Sequence, residues 1–298
     1  MTQLIDPAEL SKRYREQLRV DLKGLGAQLK LVGFLSSENA PSMTYSAYTK
    51  NACIDVGIDF ELRSVPRLEL EKAIDAANQD KSVHGIMVYY PVFGTDHDSY
   101  IKDLVDYRKD IEGLNSYWSR KLYHNERSVD GDPGRKSILP CTPLAVVKLI
   151  EEIGLHDPMR ADQPLAGKTV TVFNRSEVVG RPLASMLSND GARVISFDVE
   201  GPLIFADGQV GETKVSRAEA LSSSAVVITG VPSRQFELVK GNEIRPGTAC
   251  INFSTLKNFA DDIMGKASVF IPRVGPMTVT MALRNTLRLF RNFHNLKI

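Results

Sequence analysis

The stretch Thr169–Asp198 gathers residue types that could bind a nucleotide. An apolar, β-branched run at Thr169–Phe173 feeds a turn at Asn174-Arg175-Ser176, and Gly180 falls where the following helix must lie close to that strand. A second β-rich run, Arg193–Phe197, ends at Asp198, at the separation a βαβ dinucleotide unit requires. Backbone N–H groups at a helix start can hold a pyrophosphate, and a carboxylate closing the second strand can accept hydrogen bonds from a ribose diol. The glycine fingerprint is incomplete, because Asn174 and Ser176 occupy its first two glycine positions. The pattern therefore admits a nucleotide site or a plain α/β layer with an ordinary acidic strand end. A second candidate is Cys141, bracketed by Pro140 and Pro143. A thiol at such a hinge either lines a cleft between two lobes or fills a stiff turn as a small apolar residue.

Helical and strand patterns alternate along the chain, which predicts mostly parallel α/β sheets. Asp6, Pro7 and Glu9 read as N-cap, first and third residues of a helix. Strands are expected at Leu29–Leu35, Asp59–Val65 and His84–Pro91, and helices at Met43–Val56 and Leu68–Ala77. Polar residues dominate Tyr123–Lys136, with Gly-Asp-Pro-Gly at the centre, so this stretch reads as a surface loop. Thr142 reads as the N-cap of a helix running to about Ile153. Strands at Ala225–Gly230 and Ala249–Phe253 continue the sheet begun at Thr169. An amphipathic helix from Pro276 to about Asn295 closes the chain, with Arg284, Arg288 and Arg291 as its solvated face rather than an anion site.

The 298 residues are 43% hydrophobic, enough to bury a large core and make two domains. A formal charge of +1 gives no reason to expect nucleic acid or a membrane surface as partner. Three cysteines do not make a disulfide framework and suggest a reducing compartment. The N-terminus lacks the apolar core of a signal peptide and carries acids that mitochondrial presequences avoid. Those features point to a cytoplasmic protein, and no residue set calls for a metal.

Five runs in order then carry a resemblance: Gly85-Ile-Met-Val-Tyr-Tyr-Pro91, Lys109-Asp-Ile-Glu-Gly-Leu114, Ile138-Leu-Pro-Cys-Thr-Pro143, Asn174-Arg-Ser-x-x-Val-Gly-Arg-Pro182 and Val274-Gly-Pro-Met-Thr278. They resemble the methylene-tetrahydrofolate dehydrogenase/cyclohydrolase family over nearly the whole chain. The resemblance implies an N-terminal α/β folate lobe (residues 1–142), a Rossmann-type NAD lobe (143–276), and a C-terminal helix (277–298) returning to the first lobe. It also implies a homodimer joined through the nucleotide lobe, with methylene-tetrahydrofolate, polyglutamylated or not, as substrate.

Four departures are informative. Bifunctional members carry a Tyr and, four residues later, a Lys on the helix that enters the folate cleft; here Tyr45 keeps the Tyr but Thr49 replaces the Lys. Tyr89 replaces a Gln, Glu112 replaces an Asp, and the loop before Val274 is shortened to Pro272-Arg273. These changes resemble the monofunctional NAD-dependent dehydrogenases of fungi. The chemistry agrees. A folate nitrogen's lone pair drives hydride from the bridging methylene carbon to nicotinamide C4, leaving an amidinium-like cation, and no side-chain acid or base is needed. Opening the methenyl ring needs activated water and proton transfer, work for a Lys of lowered pKa that Thr49 cannot do.

The resemblance assigns the remaining roles. Tyr45 stacks on the aminobenzoyl ring of the folate, beside Thr49. Glu112 sits in the cleft, favouring the developing cation or binding pterin; Asp110 binds substrate there or only shapes the loop. Tyr89 borders the folate or fills the space of the missing Gln–Lys pair. Cys141 and Pro276 line the site, Cys141 without a nucleophilic role. For NAD, Asn174, Arg175 and Ser176 meet the phosphates, Gly180 lets the helix lie close to the strand, and Asp198 takes the ribose. Gly230, Val231, Asn252, Phe253 and Ser254 border the nicotinamide half. Rival readings are a bifunctional enzyme with a relocated base, another two-lobed NAD enzyme such as an amino-acid dehydrogenase, and a non-catalytic NAD-binding sensor.

Overall fold

The fold is given by a computed structural model that describes residues 2–36 and 40–295. In chain order the first elements are β1 (Gln3–Leu4), α1 (Pro7–Lys23), β2 (Lys30–Leu35), α2 (Ala40–Val56), β3 (Asp59–Ser64), α3 (Leu70–Gln79) and β4 (Gly85–Val88). There follow α4 (His97–Leu104), α5 (Ser116–Tyr123), β5 (Ser128–Val129), β6 (Asp132–Lys136) and α6 (Cys141–Glu152). The rest are β7 (Thr169–Phe173), α7 (Gly180–Asn189), β8 (Arg193–Asp198), β9 (Gly201–Ala206), β10 (Gln209–Glu212), α8 (Arg217–Ser223), β11 (Val226–Thr229), β12 (Ala249–Asn252), β13 (Val269–Ile271) and α9 (Gly275–Leu289). A π-helical turn, Phe290–His294, extends α9.

The chain divides into two compact units. An N-terminal unit holds Ser11–Lys121, Glu126–Cys141 and the chain from Thr278 on; a C-terminal unit holds Thr142–Met277, Leu122–Asn125 and the residues up to Leu10. The sequence places the first ten residues in the N-terminal lobe. They group instead with the C-terminal unit, because β1 pairs in parallel with β13 (Gln3 opposite Val269). Asp6 Oδ1 accepts the Ala8 N–H at 3.1 Å, so α1 starts as the sequence predicts.

In the N-terminal unit, β3-β2-β4 form a parallel sheet. Val32 and Phe34 of β2 and Ile86 and Val88 of β4 point into a core with Leu70, Ile74 and Ala77 of α3 and Ile101 of α4. Both faces of β2 are covered, which is why it reads as a continuous apolar run. Beyond β4, residues 109–111 add a short parallel bridge, with the Ile86 N–H on Lys109 O at 2.7 Å.

Two readings of this unit need correction. Tyr123–Lys136 is not a loop throughout: β5 and β6 form an antiparallel hairpin around Asp130 (φ 51°) and Gly131 (φ 74°). Asp-Gly is the pair that accepts two left-handed residues in a tight hairpin turn, and the Pro and Gly beside it obscured the signal. The arginines of the last helix are not all a solvated face: Arg291 is exposed, but Arg284 and Arg288 are half-buried, and Arg288 Nη1 donates to Ser137 O at 3.1 Å. One smaller shift is that α6 starts at Cys141, so Thr142 lies inside its first turn.

In the C-terminal unit, an eight-stranded sheet among the described residues runs β1-β13-β12-β11-β7-β8-β9-β10. It is parallel from β1 to β8, and β9 and β10 close it as an antiparallel edge. β7 lies between β8 and β11, so the sheet order reverses beside it. Ligands of open α/β sheets bind at the carboxyl ends of strands at that reversal.

Candidate active site

At the carboxyl end of β7 the turn is built by its own side chains. Asn174 Oδ1 accepts the Ser176 N–H (3.0 Å) and hydroxyl (2.8 Å), while Asn174 Nδ2 donates to Gly230 O at 2.8 Å. One asparagine therefore ties together the loops after β7 and β11, the two strands that flank the reversal. Ser176 Oγ accepts the Val179 N–H at 3.3 Å and the Gly180 N–H at 3.4 Å and so satisfies a donor at the start of α7. This explains why glycine is dispensable at both positions. Gly180 is not dispensable: a Cβ there would lie 2.1 Å from Asn174 O. Gly180→Ala must push α7 off β7, so the melting temperature falls and the apparent affinity for dinucleotide drops by more than about tenfold, checked by thermal melts and a binding titration. Unchanged melting would mean that the close approach is not needed.

Arg175 and Asp198 are partners. The guanidinium donates to Asp198 Oδ1, to Ser196 O at 3.2 Å and to Gly201 O at 3.0 Å, and its side chain is only 8% exposed. Expected at the phosphates, Arg175 is instead pinned against the end of β8. Every bond that the Asp198 carboxylate makes among the described residues goes through Oδ1, which also accepts the Glu200 N–H at 2.8 Å. Oδ2 remains for a ligand.

The remaining loops are braced by buried amides. Asn252 Oδ1 accepts from the Thr229 hydroxyl and the Ser254 N–H, and its Nδ2 donates to Leu256 O at 2.9 Å. Ser254 Oγ donates to Val231 O at 3.0 Å. Phe253 lies against Gly230, where a Cβ would come within 1.9 Å of its ring. Asn258, which sequence reasoning missed, is fully buried and holds Val231 on both sides, accepting its N–H at 2.8 Å and donating to its carbonyl at 3.1 Å. Pro276 stands half-buried in the first turn of α9.

In the N-terminal unit, α2 presents Tyr45 and Thr49 one turn apart. The Thr49 hydroxyl is fully buried and donates to Tyr45 O at 3.0 Å, a satisfied back-bond within the helix. Tyr45 meets Tyr89 edge to face, with ring centroids 5.9 Å apart. Burial raises both phenols, with Cys141 the next largest influence on Tyr45. Thr49 offsets part of the Tyr89 shift, yet the buried Tyr89 hydroxyl has no hydrogen-bond partner among the described residues. Such an orphaned group marks a place where a ligand can bond.

The turn after the 109–111 bridge carries two carboxyls of different character. Asp110 is 4% exposed and accepts backbone N–H groups from Glu112 (3.0 Å), Gly113 (3.0 Å) and Asn115 (2.8 Å). Both of its oxygens are thereby used to shape the loop, so it does not stand free for substrate. Burial still raises its pKa, to about 6, against those bonds. Glu112 receives one long N–H bond, from Val88 at 3.3 Å. Burial first, and Asp110 second, push its pKa up to about 8, so it is mostly protonated at neutral pH.

Neighbouring groups fix this turn without chemistry of their own. Lys109 Nζ donates to three carbonyls at the end of α3, Ala77 (2.9 Å), Asn78 (2.7 Å) and Asp80 (2.7 Å), so it is an anchor rather than a base. Cys141 Sγ donates to Ile111 O at 3.2 Å, and burial, then Glu112, hold the thiol well above its ordinary pKa. It is no nucleophile. Asn285 of α9, also missed from sequence, donates to Ile111 O (2.8 Å) and Leu139 O (2.9 Å) and so pins the Glu112 and Cys141 segments together. Gly113 (φ +67°) fits because a Cβ would strike Leu139 at 2.9 Å. A buried asparagine at a helix face gives no periodic signal that would have marked it.

The class that these two units define is set by comparison. The chain belongs to the tetrahydrofolate dehydrogenase/cyclohydrolase family: the family's catalytic domain matches residues 5–112 and its NAD(P)-binding domain residues 140–294. Among its relatives, the methylenetetrahydrofolate dehydrogenase [NAD(+)] of Dictyostelium discoideum is 44% identical, covering 97% of this chain and 94% of that protein. The protein of the same name from Schizosaccharomyces pombe is 40% identical, covering 95% and 91%. The solved NAD-dependent 5,10-methylenetetrahydrofolate dehydrogenase from Saccharomyces cerevisiae matches with a TM-score of 0.91 at 38% identity, covering 100% of this chain and 99% of that one.

Proposed function

We propose that the chain is an NAD-dependent methylene-tetrahydrofolate dehydrogenase that oxidises methylene- to methenyl-tetrahydrofolate and does not hydrolyse the product. The NAD-dependent relatives at 44% and 40% identity support the dehydrogenase activity and the cofactor. The observation that carries the second half is Thr49, which stands where bifunctional members have lysine and whose hydroxyl is bonded to its own helix. The lysines nearby offer no substitute: Lys109 is held by three carbonyls and Lys50 is exposed.

The C-terminal unit fits NAD: a self-bonded strand-to-helix turn lies at the sheet reversal, and Asp198 has an unbonded Oδ2 at the end of the second strand. When bound, NAD accepts the hydride that leaves the substrate's methylene carbon. Asp198 takes the ribose hydroxyls, and the Asn174–Ser176 turn presents backbone N–H groups to the phosphates. Gly230, Val231, Asn252, Phe253 and Ser254 shape the nicotinamide end, their loops fixed by Asn258. On the folate side, Tyr45 stacks on the aminobenzoyl ring, Tyr89 offers its orphaned hydroxyl, and the neutral Cys141 lies beside them. Glu112 donates a hydrogen bond to the pterin while protonated and, once ionised, favours the cation left by hydride departure. The reading extends to a cytoplasmic homodimer joined through its C-terminal units, acting on substrate with or without a polyglutamate tail.

Initial rates with methylene-tetrahydrofolate and each nicotinamide cofactor test the activity. Methenyl-tetrahydrofolate should accumulate, with kcat/KM for NAD at least roughly tenfold above that for NADP. No methenyl product with either cofactor would reject the reading.

A further inference from the structure

The N-terminal unit contains a pocket of about 420 Å³ that shares no residue with the site above. It lies among α1, β6 and α9, and its charged lining is Arg284, Arg288, Arg291 and Lys136 with Asp21 as the one carboxylate. The arginines recur at helical spacing along a single stripe of α9 and its π-helical extension, where like charges destabilise the helix they sit on. Their internal partners are few. Arg288 gives one nitrogen to Ser137 O at 3.1 Å, and Arg291 approaches Asp21 only to 3.6 Å. Asp21 is shared besides, because it also accepts from Gln17 at 3.0 Å. Arg284 makes no hydrogen bond or ion pair among the described residues. Burial, and then Arg284, hold Arg288 down to about 10, so it stays charged at neutral pH while being poorly solvated.

Four cations that converge on one cavity against one carboxylate are a cost to the empty fold that a bound anion removes. Paired guanidinium forks match phosphate oxygens two at a time, and the volume suits a small metabolite. We propose that this pocket binds a compact phosphate-bearing polyanion, gripped by Arg284 and Arg288 with Arg291 and Lys136 adding charge. The bound anion would replace the missing partners of the α9 stripe.

Calorimetric titration with inorganic pyrophosphate tests this, using the full chain at low ionic strength with NAD present to fill the cofactor turn. Wild-type protein should bind saturably, and affinity should fall steeply as salt rises. Arg284→Gln should weaken binding by about tenfold or more while leaving NAD-dependent turnover unchanged, because no bond within the fold is lost. Lys136→Gln, on the exposed face of β6, should weaken it in the same direction and serves if Arg284→Gln fails to fold. A parallel titration with adenosine diphosphate separates an organic phosphate, which would bind more tightly, from the inorganic ion; tighter binding of either supports the site. No saturable binding, equal binding by the variants, or tighter binding of triglutamate than of pyrophosphate would overturn it.

Discussion

Asp198→Ser lowers kcat/KM for NAD by roughly a hundredfold and narrows its lead over NADP. The first effect follows from removing the charged acceptor proposed for the ribose hydroxyls, since a hydrogen bond to a charged group contributes about 1.5–3 kcal/mol and 1.4 kcal/mol is tenfold. The second follows from Arg175. In the wild-type chain its guanidinium is neutralised by Asp198 and held by the carbonyls of Ser196 and Gly201. Without the carboxylate it keeps the carbonyls but has no counter-charge, and a 2′-phosphate becomes its best partner. NADP also no longer confronts a carboxylate in a partly desolvated site. Steady-state rates with both cofactors check the pair of effects; a wild-type enzyme that uses NADP as well as NAD would contradict them.

Glu112→Gln separates activity from stability through pH. Burial and Asp110 raise this carboxyl from 4.5 to about 8, so the folded state binds its proton more tightly than the unfolded chain does. The protonated group is therefore fully compatible with the fold below about pH 4.5, and stability is lost as pH rises from there through about 8. Gln keeps the neutral form at every pH. The variant should match the wild type near pH 4.5 and exceed it at pH 9 by up to about 5 kcal/mol, at roughly 1.4 kcal/mol per pKa unit. Activity moves the other way. Wild-type kcat should climb between pH 7 and 9 as the carboxylate forms beside the developing cation, and the variant's profile should be flat, leaving it about 10- to 100-fold slower at pH 9. Paired melting and rate profiles read both, and a parallel rise in the variant's kcat would remove Glu112 from the site.

The parts that local pattern decides were legible from the residues. The β-branched run at Thr169–Phe173, the glycine at 180 and the acid at 198 specify strand, close approach and strand end independently of the rest of the chain. The β5–β6 hairpin was not, because its Asp-Gly turn sits beside Pro133 and Gly134 and is secured from outside: Asn292 and Arg288 of the last helix donate to Lys136 O and Ser137 O. The same holds within the site. That Arg175 binds Asp198 depends on how β7 and β8 pair, which puts Phe173 opposite Phe197, and side-chain type alone left it pointing at phosphate. Asp110 and Glu112 look alike in sequence, yet one accepts three backbone N–H groups and the other one. Asn258 and Asn285 act through carbonyls of distant segments, so nothing next to them in the chain announces their role.

The proposed enzyme makes the methenyl cation and leaves it alone. The direct measurement adds the protein to methylene-tetrahydrofolate and NAD, in a buffer that does not itself catalyse ring opening, and follows NADH and methenyl-tetrahydrofolate by absorbance together. One methenyl-tetrahydrofolate should form per NADH, followed by decay at the rate of a protein-free control. NADH that accumulates ahead of methenyl-tetrahydrofolate, or a saturable decay above the control, would contradict it and show that a base other than the residue at position 49 opens the ring.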